Sequence, residues 1–251
     1  EKIVIYGDYD ADGIPGSVIL HDLFNKIGYT NFSNYIPHRH DEGYGLHCDA
    51  IDQFREQKIT LMITVDCGIT DIEQVAYART HDIDVVVTDH HMPIVADGSN
   101  MQDVLPEAYV VLNSKKQEDA YPDDMLCGAG VAFKLVQALL RKGKEEGRFQ
   151  DVPDGWEKWL LDMAGLSTIA DMVPLKKENR VLAHYGLMVL RKSRRVGLRA
   201  LLQKMNIAQQ HITEDDIGFM IVPRINAASR MDHPLRAFEL LASDDEATAQ
   251  T

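Results

Sequence analysis

The sequence predicts an α/β fold, in which a parallel sheet carries helices on both faces and a mainly helical C-terminal part follows. Short β-rich runs alternate with segments of helical spacing up to residue 112. The runs Val85–Val87 and Tyr109–Leu112 are continuously apolar, as in strands that are buried on both faces. Beyond residue 130 the pattern becomes helical. Together these three observations favour crossover connections in the first half and packed helices in the second.

Five strands and three intervening helices make up the predicted sheet region. The strands are Lys2–Gly7, Phe32–Ile36, Thr60–Val65, Asp84–Thr88 and Tyr109–Leu112. The helices are Gly16–Ile27, Leu46–Gln57 and Asp71–Thr80. Strands that alternate with helices of this length indicate parallel pairing through right-handed crossovers.

The second half of the chain predicts five helices. They are Val131–Arg141, Trp156–Leu166, Val181–Lys192, Leu198–Met205 and a last one from Pro234 to Leu241. A charged, glycine-containing loop is predicted at Gly143–Asp154, between the first two. The closing run SDDEATAQT is polar, and we expect a fraying end there.

Composition excludes several classes of protein. The 251 residues are 45% hydrophobic, enough for one substantial core, and no run of 18 apolar residues could form a transmembrane helix. Cys48, Cys67 and Cys127 are widely spaced, which predicts buried structural thiols in a reducing, cytoplasmic setting. The chain starts without Met on a strand-like run, so we expect it to be part of a longer protein.

Charge is distributed unevenly along the chain. The formal net charge is −13, yet the stretch from Lys176 to Lys204 holds nine basic residues against Glu178 alone. This stretch is therefore +8, and the rest of the chain is −21. Two interpretations stay open: a surface that faces a polyanion, or ordinary solvated faces of helices. Charge alone favours the second.

The turn after the first predicted strand carries three aspartates, Asp8, Asp10 and Asp12. The pattern D-x-D-x-D-G matches the start of an EF-hand calcium loop, but Ile19 stands where the loop needs glutamate, and a strand precedes it. The calcium-loop interpretation therefore fails. Aspartates also form turns and cap helices, so that alternative stays open for the turn taken by itself.

Two further strand ends carry metal-ligand side chains. Asp66 directly follows the strand Thr60–Val65, and Asp89, His90 and His91 follow the next strand. Because parallel strands end at the same edge of a sheet, we expect these side chains to meet the aspartate turn. Oxygen donors with an imidazole favour Mn²⁺ or Mg²⁺.

Seven blocks of the sequence, taken in order, resemble the DHH phosphoesterase family. The set is similar to RecJ-type single-strand-specific 5′→3′ exonucleases and runs from residue 2 to about residue 242. The blocks are DYDADG, PHRHDEGYGL, VDCG, TDHH, LCGAGVAFKL, LSTIADMVPLKKENR and PRINAASRM. Two departures are Ser167 and Ser229, which stand where the family usually has glycine, and GIPG at Gly13–Gly16 is another.

The resemblance implies a centre of two ions, Mn²⁺ or Mg²⁺, which share one bridging carboxylate. It assigns Asp66 as the bridge, Asp8 and Asp10 to the first ion, and Asp12, His90 and Asp171 to the second. Only the resemblance selects Asp171, which is otherwise a turn aspartate. His91 is assigned to a phosphate contact or to proton donation. Arg39 and Arg230, and with less support Arg224, are candidates for gripping phosphates.

The resemblance also implies a domain organisation and partners. Residues 1–210 form the DHH catalytic α/β domain, and residues 211–251 form its end and the start of a connection to a second domain that the chain lacks. Family members carry in that domain a nucleic-acid motif, and often an OB-fold. The implied role is cytoplasmic, in DNA repair and recombination, with single-stranded DNA as substrate and a single-strand-binding protein or helicase as candidate partner.

Two competing functions remain. One is a DHH phosphodiesterase that acts on short oligoribonucleotides or cyclic dinucleotides, or a pyrophosphatase. The other is a non-catalytic scaffold for replication partners. The PHR, LCGAG and PRINAASR blocks favour the exonuclease, and a scaffold tends to lose ligands that are all present in this chain.

Overall fold

A five-stranded parallel sheet forms the centre of the protein. A computed structural model describes residues 1–96, 102–117, 119–243 and 245. The sheet strands are β1 Ile3–Gly7, β2 Phe32–Tyr35, β3 Leu61–Val65, β4 Asp84–Thr88 and β7 Val110–Leu112. Their spatial order is β2-β1-β3-β4-β7, and every neighbouring pair is parallel. A two-stranded antiparallel ribbon, β5 Ile94–Val95 with β6 Asp103–Val104, lies between β4 and β7 in sequence.

Nine α-helices accompany these strands in the described part of the chain. They are α1 Gly13–Lys26, α2 Cys48–Glu56, α3 Ile72–Thr80, α4 Gly128–Glu145, α5 Leu161–Ala170, α6 Lys177–Leu190, α7 Val196–Lys204, α8 Val222–Met231 and α9 Leu235–Ala242. Shorter helical pieces are the 3₁₀ turns Trp156–Leu160 and Gln209–His211 and the π-helical segment Asp216–Ile221.

The two faces of the sheet bury separate apolar clusters, because successive side chains of a strand point to opposite faces. Ile3 and Ile5 of β1 pack with α1, α4 and the C-terminal helices. Val4 and Tyr6 of the same strand pack with residues of α2 and α3. The predicted α/β class, with helices on both faces and a helical C-terminal part, is confirmed.

Several predicted boundaries were wrong, for physical reasons. Gly143 was predicted as loop, but α4 continues to Glu145, where Arg141 and Glu145 form an i,i+4 ion pair. The helix predicted to end at Leu166 starts as a 3₁₀ turn and runs to Ala170, because Ser167 and Thr168 are buried against the core. The ribbon β5–β6, the π-helical segment and α8 were not predicted.

The residues after 210 pack onto the same core as the sheet. Ile217 and Ile221 of the π-helical segment and Phe238 and Leu241 of α9 join the cluster that covers one face of the sheet. The predicted fraying end, SDDEATAQT, lies mostly outside the described residues. No helix in the described ranges is long and apolar enough to cross a membrane.

The cysteine prediction holds for two of the three thiols. Cys67 and Cys127 are buried, whereas Cys48 is exposed at the start of α2, so a buried role for Cys48 was wrong. None of these three is in a disulfide.

Candidate metal centre

The carboxyl ends of β1 and β3 lie at the switch point of the sheet, where the strand order reverses. From β1, the chain moves to β2 on one side and returns to β3 on the other. In open α/β sheets a crevice opens at such a switch point, outside the strand ends. Asp8 follows β1 and Asp66 follows β3, and both side chains are buried there.

Asp10 organises the turn between β1 and α1. Its Oδ1 accepts hydrogen bonds from the backbone N–H of Asp12 at 2.8 Å and of Gly13 at 3.1 Å. These are donors at the start of α1 that would otherwise lack partners. One oxygen of Asp10 therefore caps the start of α1, as one of the alternatives predicted. Its other oxygen is left for a cation.

Asp12 is held by the N-terminus of α4. Its carboxylate accepts from the backbone N–H of Gly128 at 2.6 Å and of Ala129 at 2.8 Å. The partial positive charge of a helix N-terminus favours the ionised carboxylate. Gly128 is needed here because a Cβ at this position would lie 2.6 Å from Oδ1 of Asp66.

Asp66 adopts a left-handed backbone conformation, with φ at +64°. Such a conformation is strained for a residue with a Cβ, and it is found mainly where a site requires it. Its N–H donates to the Thr88 carbonyl at 2.9 Å, and its own carbonyl accepts from the Tyr44 hydroxyl at 3.1 Å. These two bonds hold the carboxylate over the strand ends.

Asp89 shapes the turn after β4, a role that sequence reasoning missed. Its Oδ1 accepts from the backbone N–H of His90 and His91 and lies 2.8 Å from Nδ1 of His91. Its Oδ2 accepts from the N–H of Ile69 at 2.9 Å. Burial raises the pKa of Asp89, but the hydrogen bonds from His91 and Ile69 outweigh it, so the pKa is lowered. Its place at a strand end was the signal that could have identified it.

His90 lies at the middle of the cluster. Its Nε2 is 3.1 Å from Oδ1 of Asp66 and 3.6 Å from Oδ2 of Asp12. Its Nδ1 is 3.7 Å from Oδ2 of Asp171. Burial lowers the pKa of His90 to about 4, so the imidazole is neutral at pH 7, which is the form that binds metals.

Asp171 reaches the cluster from the C-terminal end of α5, of which it is the capping residue. A helix C-terminus carries partial negative charge, so a carboxylate there is electrostatically unfavourable without a cation nearby. The chain continues through Met172, which has a φ of +56°. The position of Asp171 therefore favours a ligand role over a capping role.

Three overlapping groups of ligand atoms result, each with its atoms within 4.8 Å of one another. Asp66 belongs to two of the groups, and His90 also belongs to two. The groups are Asp8–Asp10–Asp66, Asp12–His90–Asp171 and Asp66–His90–His91. The structure thus brings together all six side chains that the sequence assigned to two ions, with His91 beside them.

Burial and mutual repulsion raise the pKa of four carboxyl groups in this cluster, those of Asp8, Asp12, Asp66 and Asp171. Burial and then Asp10 raise the pKa of Asp8 to about 8, and burial and then Asp10 raise that of Asp12 to about 7. Burial raises the pKa of Asp171 to about 6, and burial and then Asp12 raise that of Asp66 well above its usual value. The cluster therefore holds protons or cations at neutral pH.

The residues fit divalent cations. Three buried atoms in the cluster, Oδ1 of Asp8, Oδ1 of Asp66 and Nδ1 of His90, have no hydrogen-bond partner among the described residues. A buried polar atom without a partner destabilises the folded protein, so we expect these three atoms to bind a ligand. Carboxylate oxygens with one imidazole suit Mn²⁺ and Mg²⁺.

The stability of the fold should depend on metal, and increasingly so as pH rises. Carboxyl groups whose pKa is raised by folding bind protons that the unfolded chain has lost, so metal-free stability falls from about pH 4 to about pH 8. Cations favour the ionised form and offset this loss. A fixed Mn²⁺ concentration, about 100 times the Kd at pH 8, should raise Tm by roughly 5–10 °C near pH 8 and by less near pH 5, where protons compete with the cation.

Thermal unfolding in Mn²⁺ and in EDTA at both pH values measures this dependence. An EDTA sample at each pH is the control for metal-independent effects of pH. Equal Tm values with Mn²⁺ and with EDTA at both pH values would contradict the metal assignment.

The three candidate phosphate-binding arginines lie outside the ligand cluster. The Arg39 guanidinium is 4.7 Å from the centre of the Tyr9 ring, beside the aspartate turn. Arg224 and Arg230 are exposed on α8, and Nη1 of Arg224 donates to the Met220 carbonyl. None of the three forms an ion pair with a described carboxylate.

Tyr44 is a further residue at the site that sequence reasoning missed. Its hydroxyl lies 3.0 Å from Nδ1 of His91, in addition to its bond to the Asp66 carbonyl. The residue belongs to the PHRHDEGYGL block, but nothing in its spacing indicated a contact with the strand ends. Tyr44 thus links the turn after β3 to the turn after β4.

A parallel α/β sheet with buried carboxylates and imidazoles at its switch point defines a class of domain that binds divalent cations. The chain belongs to the DHH family: the model of the DHH family, N-terminal domain, matches residues 2–164. The resemblance derived from the sequence blocks is therefore confirmed.

Curated relatives are named single-stranded-DNA-specific exonuclease RecJ. The relative from Bacillus subtilis is 39% identical over 251 residues, which is 100% of this chain and 29% of its own length. That from Haemophilus influenzae is 36% identical, over 100% of this chain and 42% of its own. That from Escherichia coli is 35% identical, over 97% of this chain and 41% of its own. The chain thus spans less than half of these relatives.

Solved structures show the same fold. A crystal structure of exonuclease RecJ bound to manganese has a TM-score of 0.82 at 35% identity, over 99% of this chain and 58% of that one. RecJ from Thermus thermophilus in complex with Mn²⁺ has a TM-score of 0.77 at 32% identity, over 99% and 33%. The same organism's RecJ is also solved in complex with Mg²⁺.

Proposed function

We propose that this chain carries out metal-dependent hydrolysis of phosphodiester bonds, as a 5′→3′ exonuclease on single-stranded DNA. The observation that carries the proposal is the contact of Asp66 with both ligand sets. Asp66 belongs to the group with Asp8 and Asp10, and its Oδ1 lies 3.1 Å from Nε2 of His90, which belongs to the group with Asp12 and Asp171. A shared carboxylate at the centre of a ligand cluster is what a pair of adjacent cations requires. The relatives named as single-stranded-DNA-specific exonucleases support the choice of substrate.

Two sets of residues are assigned to the two cations. Asp8, Asp10 and Asp66 would hold the first cation, Asp12, His90 and Asp171 would hold the second, and Asp66 would contribute to both. When bound, the two cations lower the pKa of a water molecule and neutralise charge on the phosphoryl oxygens. The protein contributes an anionic, largely buried cradle that is fixed by backbone hydrogen bonds to Asp10, Asp12 and Asp66.

His91 is proposed as the phosphate contact or proton donor. Its Nδ1 lies against Asp89 and Tyr44, so its Nε2 is the nitrogen left for a ligand. The Asp89 carboxylate fixes the tautomer and the orientation of the ring, as outer partners of active-site histidines commonly do. His91 is therefore positioned beside the cradle without having to serve as a ligand.

Binding of the strand is proposed for Arg39, Arg224 and Arg230. A guanidinium binds a phosphate through two parallel hydrogen bonds, and the lack of described carboxylate partners leaves all three available for that. Arg39, stacked on Tyr9, lies next to the metal ligands and is the best placed for a terminal phosphate.

The cellular role is proposed from the same relatives. We infer a part in DNA repair and recombination in the cytoplasm, where unpaired thiols such as the exposed Cys48 are stable. A single-strand-binding protein or a helicase is a candidate partner, because either one exposes or presents single strands.

Labelled substrates test the proposal and its two rivals. The chain is incubated with Mn²⁺ and with single-stranded DNA labelled at either end, duplex DNA, short RNA, cyclic dinucleotide and pyrophosphate. We expect mononucleotides to be released from the 5′ end of single strands only. Preferential cleavage of RNA or cyclic dinucleotide would select the other phosphodiesterases, and inactivity on all substrates despite Mn²⁺ binding would select the scaffold.

A further inference from the structure

Ala11 lies between the two groups of metal ligands. Its neighbour Asp10 belongs to the group with Asp8 and Asp66, and its neighbour Asp12 belongs to the group with His90 and Asp171. The peptide units on either side of Ala11 therefore set the distance between the two groups. Ala11 itself is 3% exposed and has only a methyl side chain.

Both polar backbone atoms of Ala11 are held by side chains from distant parts of the chain. The N–H of Ala11 donates to Oδ1 of Asn226 at 2.9 Å, from α8. The carbonyl of Ala11 accepts from Oγ of Ser167 at 3.1 Å, from α5. Each of these two side chains thus uses an oxygen atom to bind the backbone of Ala11.

The other long-range hydrogen bonds of this turn hold Asp8 and Asp12 and not the peptide units that flank Ala11. The Asp12 carboxylate accepts from the N-terminus of α4, and the N–H of Asp8 donates to the Val65 carbonyl at 3.1 Å. The bonds that Asp10 accepts from residues two and three positions ahead are local and shape the turn. Asn226 and Ser167 are 215 and 156 positions away from Ala11 and connect the turn to α8 and α5. Asp171 closes the same helix α5, so Ser167 also ties the turn to the helix that supplies a ligand.

We propose that Ser167 and Asn226 form a clamp on Ala11 that sets the spacing of the two cation groups. The clamp consists of these two side chains, which act as positioning residues through the backbone and touch neither cation nor substrate. The inference rests on the proposed two-cation site and adds the residues that adjust it. Ser167 supplies the half of the clamp that holds the Ala11 carbonyl.

Three variants test the clamp: Ser167→Ala, Asn226→Ala and the double variant. Residues that orient metal ligands without touching the metal typically contribute about 10-fold to 100-fold in affinity, so each single variant should bind Mn²⁺ roughly tenfold more weakly. The double variant should lose less than the product of the two losses, because both side chains hold the same residue. Binding and stoichiometry are measured by calorimetry without nucleic acid.

Ser229→Ala is the matched control. Ser229 is also fully buried and lies on α8, but its hydroxyl donates to the Asn226 carbonyl within the helix and does not reach the turn. We expect its affinity for Mn²⁺ to equal that of the wild type. In the clamp variants, kcat should fall at subsaturating Mn²⁺ and recover at saturating Mn²⁺, while KM for the strand stays constant.

The proposal is overturned if both single variants bind two Mn²⁺ ions with wild-type affinity, or if Ser229→Ala weakens binding as much as they do. Should Asn226→Ala not fold in EDTA, Ser167→Ala decides the matter, because it removes a single oxygen atom. If Mn²⁺ affinity depends on Ser167 and Asn226 as expected but the wild-type chain cleaves no substrate, the proposed function is refuted and the clamp stands.

Discussion

Replacement of Asp66 by alanine is expected to abolish hydrolysis while leaving the affinity for single-stranded DNA nearly unchanged. Asp66 is the carboxylate shared by two ligand groups, so its loss affects both cations together. The candidate strand-binding arginines lie outside the cluster and stay in place. A fall in kcat of at least about 10²-fold is expected, since removal of even one transition-state-stabilising group has that effect. Single-turnover hydrolysis and fluorescence anisotropy measure the two quantities.

Two further variants separate the carboxylate from its backbone conformation. Asp66→Gly removes the carboxylate and relieves the strain of the positive φ, so it should be inactive yet at least as stable as the wild type in EDTA. Asp84→Ala is the matched control, because Asp84 is an exposed strand aspartate at the opposite end of the sheet. Retention of more than a tenth of the wild-type turnover by Asp66→Ala would refute the bridging role.

Replacement of Arg195 by methionine is expected to be the most destabilising substitution away from the metal centre. Arg195 donates to Asp162 at 2.9 Å and to Asp22 at 2.6 Å, and it connects α5, α1 and the start of α7. Its side chain is 13% exposed and that of Asp162 is 4% exposed. Removal of one partner of a buried ion pair leaves the other charge uncompensated, at a cost of about 3–5 kcal/mol in the free energy of unfolding.

Urea unfolding in EDTA measures this loss without a contribution from metal. Arg194→Met is the matched control, since Arg194 is the adjacent arginine but lies over the Trp159 ring at 5.3 Å, outside the buried ion pairs. Its replacement should cost about 1 kcal/mol or less. A loss in the free energy of unfolding below about 1 kcal/mol for Arg195→Met would contradict a stabilising role for its ion pairs with Asp22 and Asp162.

The basic stretch from Lys176 to Lys204 shows what charge counting misses. Arg195 is largely buried between Asp22 and Asp162, and the half-buried Arg191 donates to the Ile212 carbonyl, whereas Lys177 is exposed. Part of the +8 charge therefore stabilises the fold and does not face solvent. Sequence composition counts charges but does not reveal which are paired with distant residues such as Asp22.

The sheet could be predicted because its signals are local. Four of the five sheet strands are short apolar runs, β2 with its sequence FSNY being the exception, and the alternation with helices specifies parallel pairing. Asp8, Asp66 and His90 followed from the same reasoning, because parallel strands end at one edge. The ends of α4 and α5 were harder to predict, since they depend on the burial of Gly143 against Phe149 and of Ser167 and Thr168 in the core, which arises only in the folded chain.

Asp171 could not be derived from spacing. It caps α5, far beyond His90 in the sequence, and only the packing of α5 against α1 and α4 brings it near the strand ends. The roles of Ser167 and Asn226 could not be predicted from the sequence either. Both side chains contact the backbone of Ala11, whose methyl side chain gives no sign of a functional role. Resemblance supplied Asp171, whereas the contacts of Ser167 and Asn226 required the structure.

The order of the ligands along the chain has a consequence for biogenesis. Asp8, Asp10, Asp12, Asp66 and His90 leave the ribosome first, and Asp171 follows only after α4 and α5. In a nascent chain the first five of these side chains are therefore present before Asp171 has been synthesised. Completion of the candidate cation site therefore depends on the synthesis and packing of α5, long after Asp8, Asp10 and Asp12 have been synthesised.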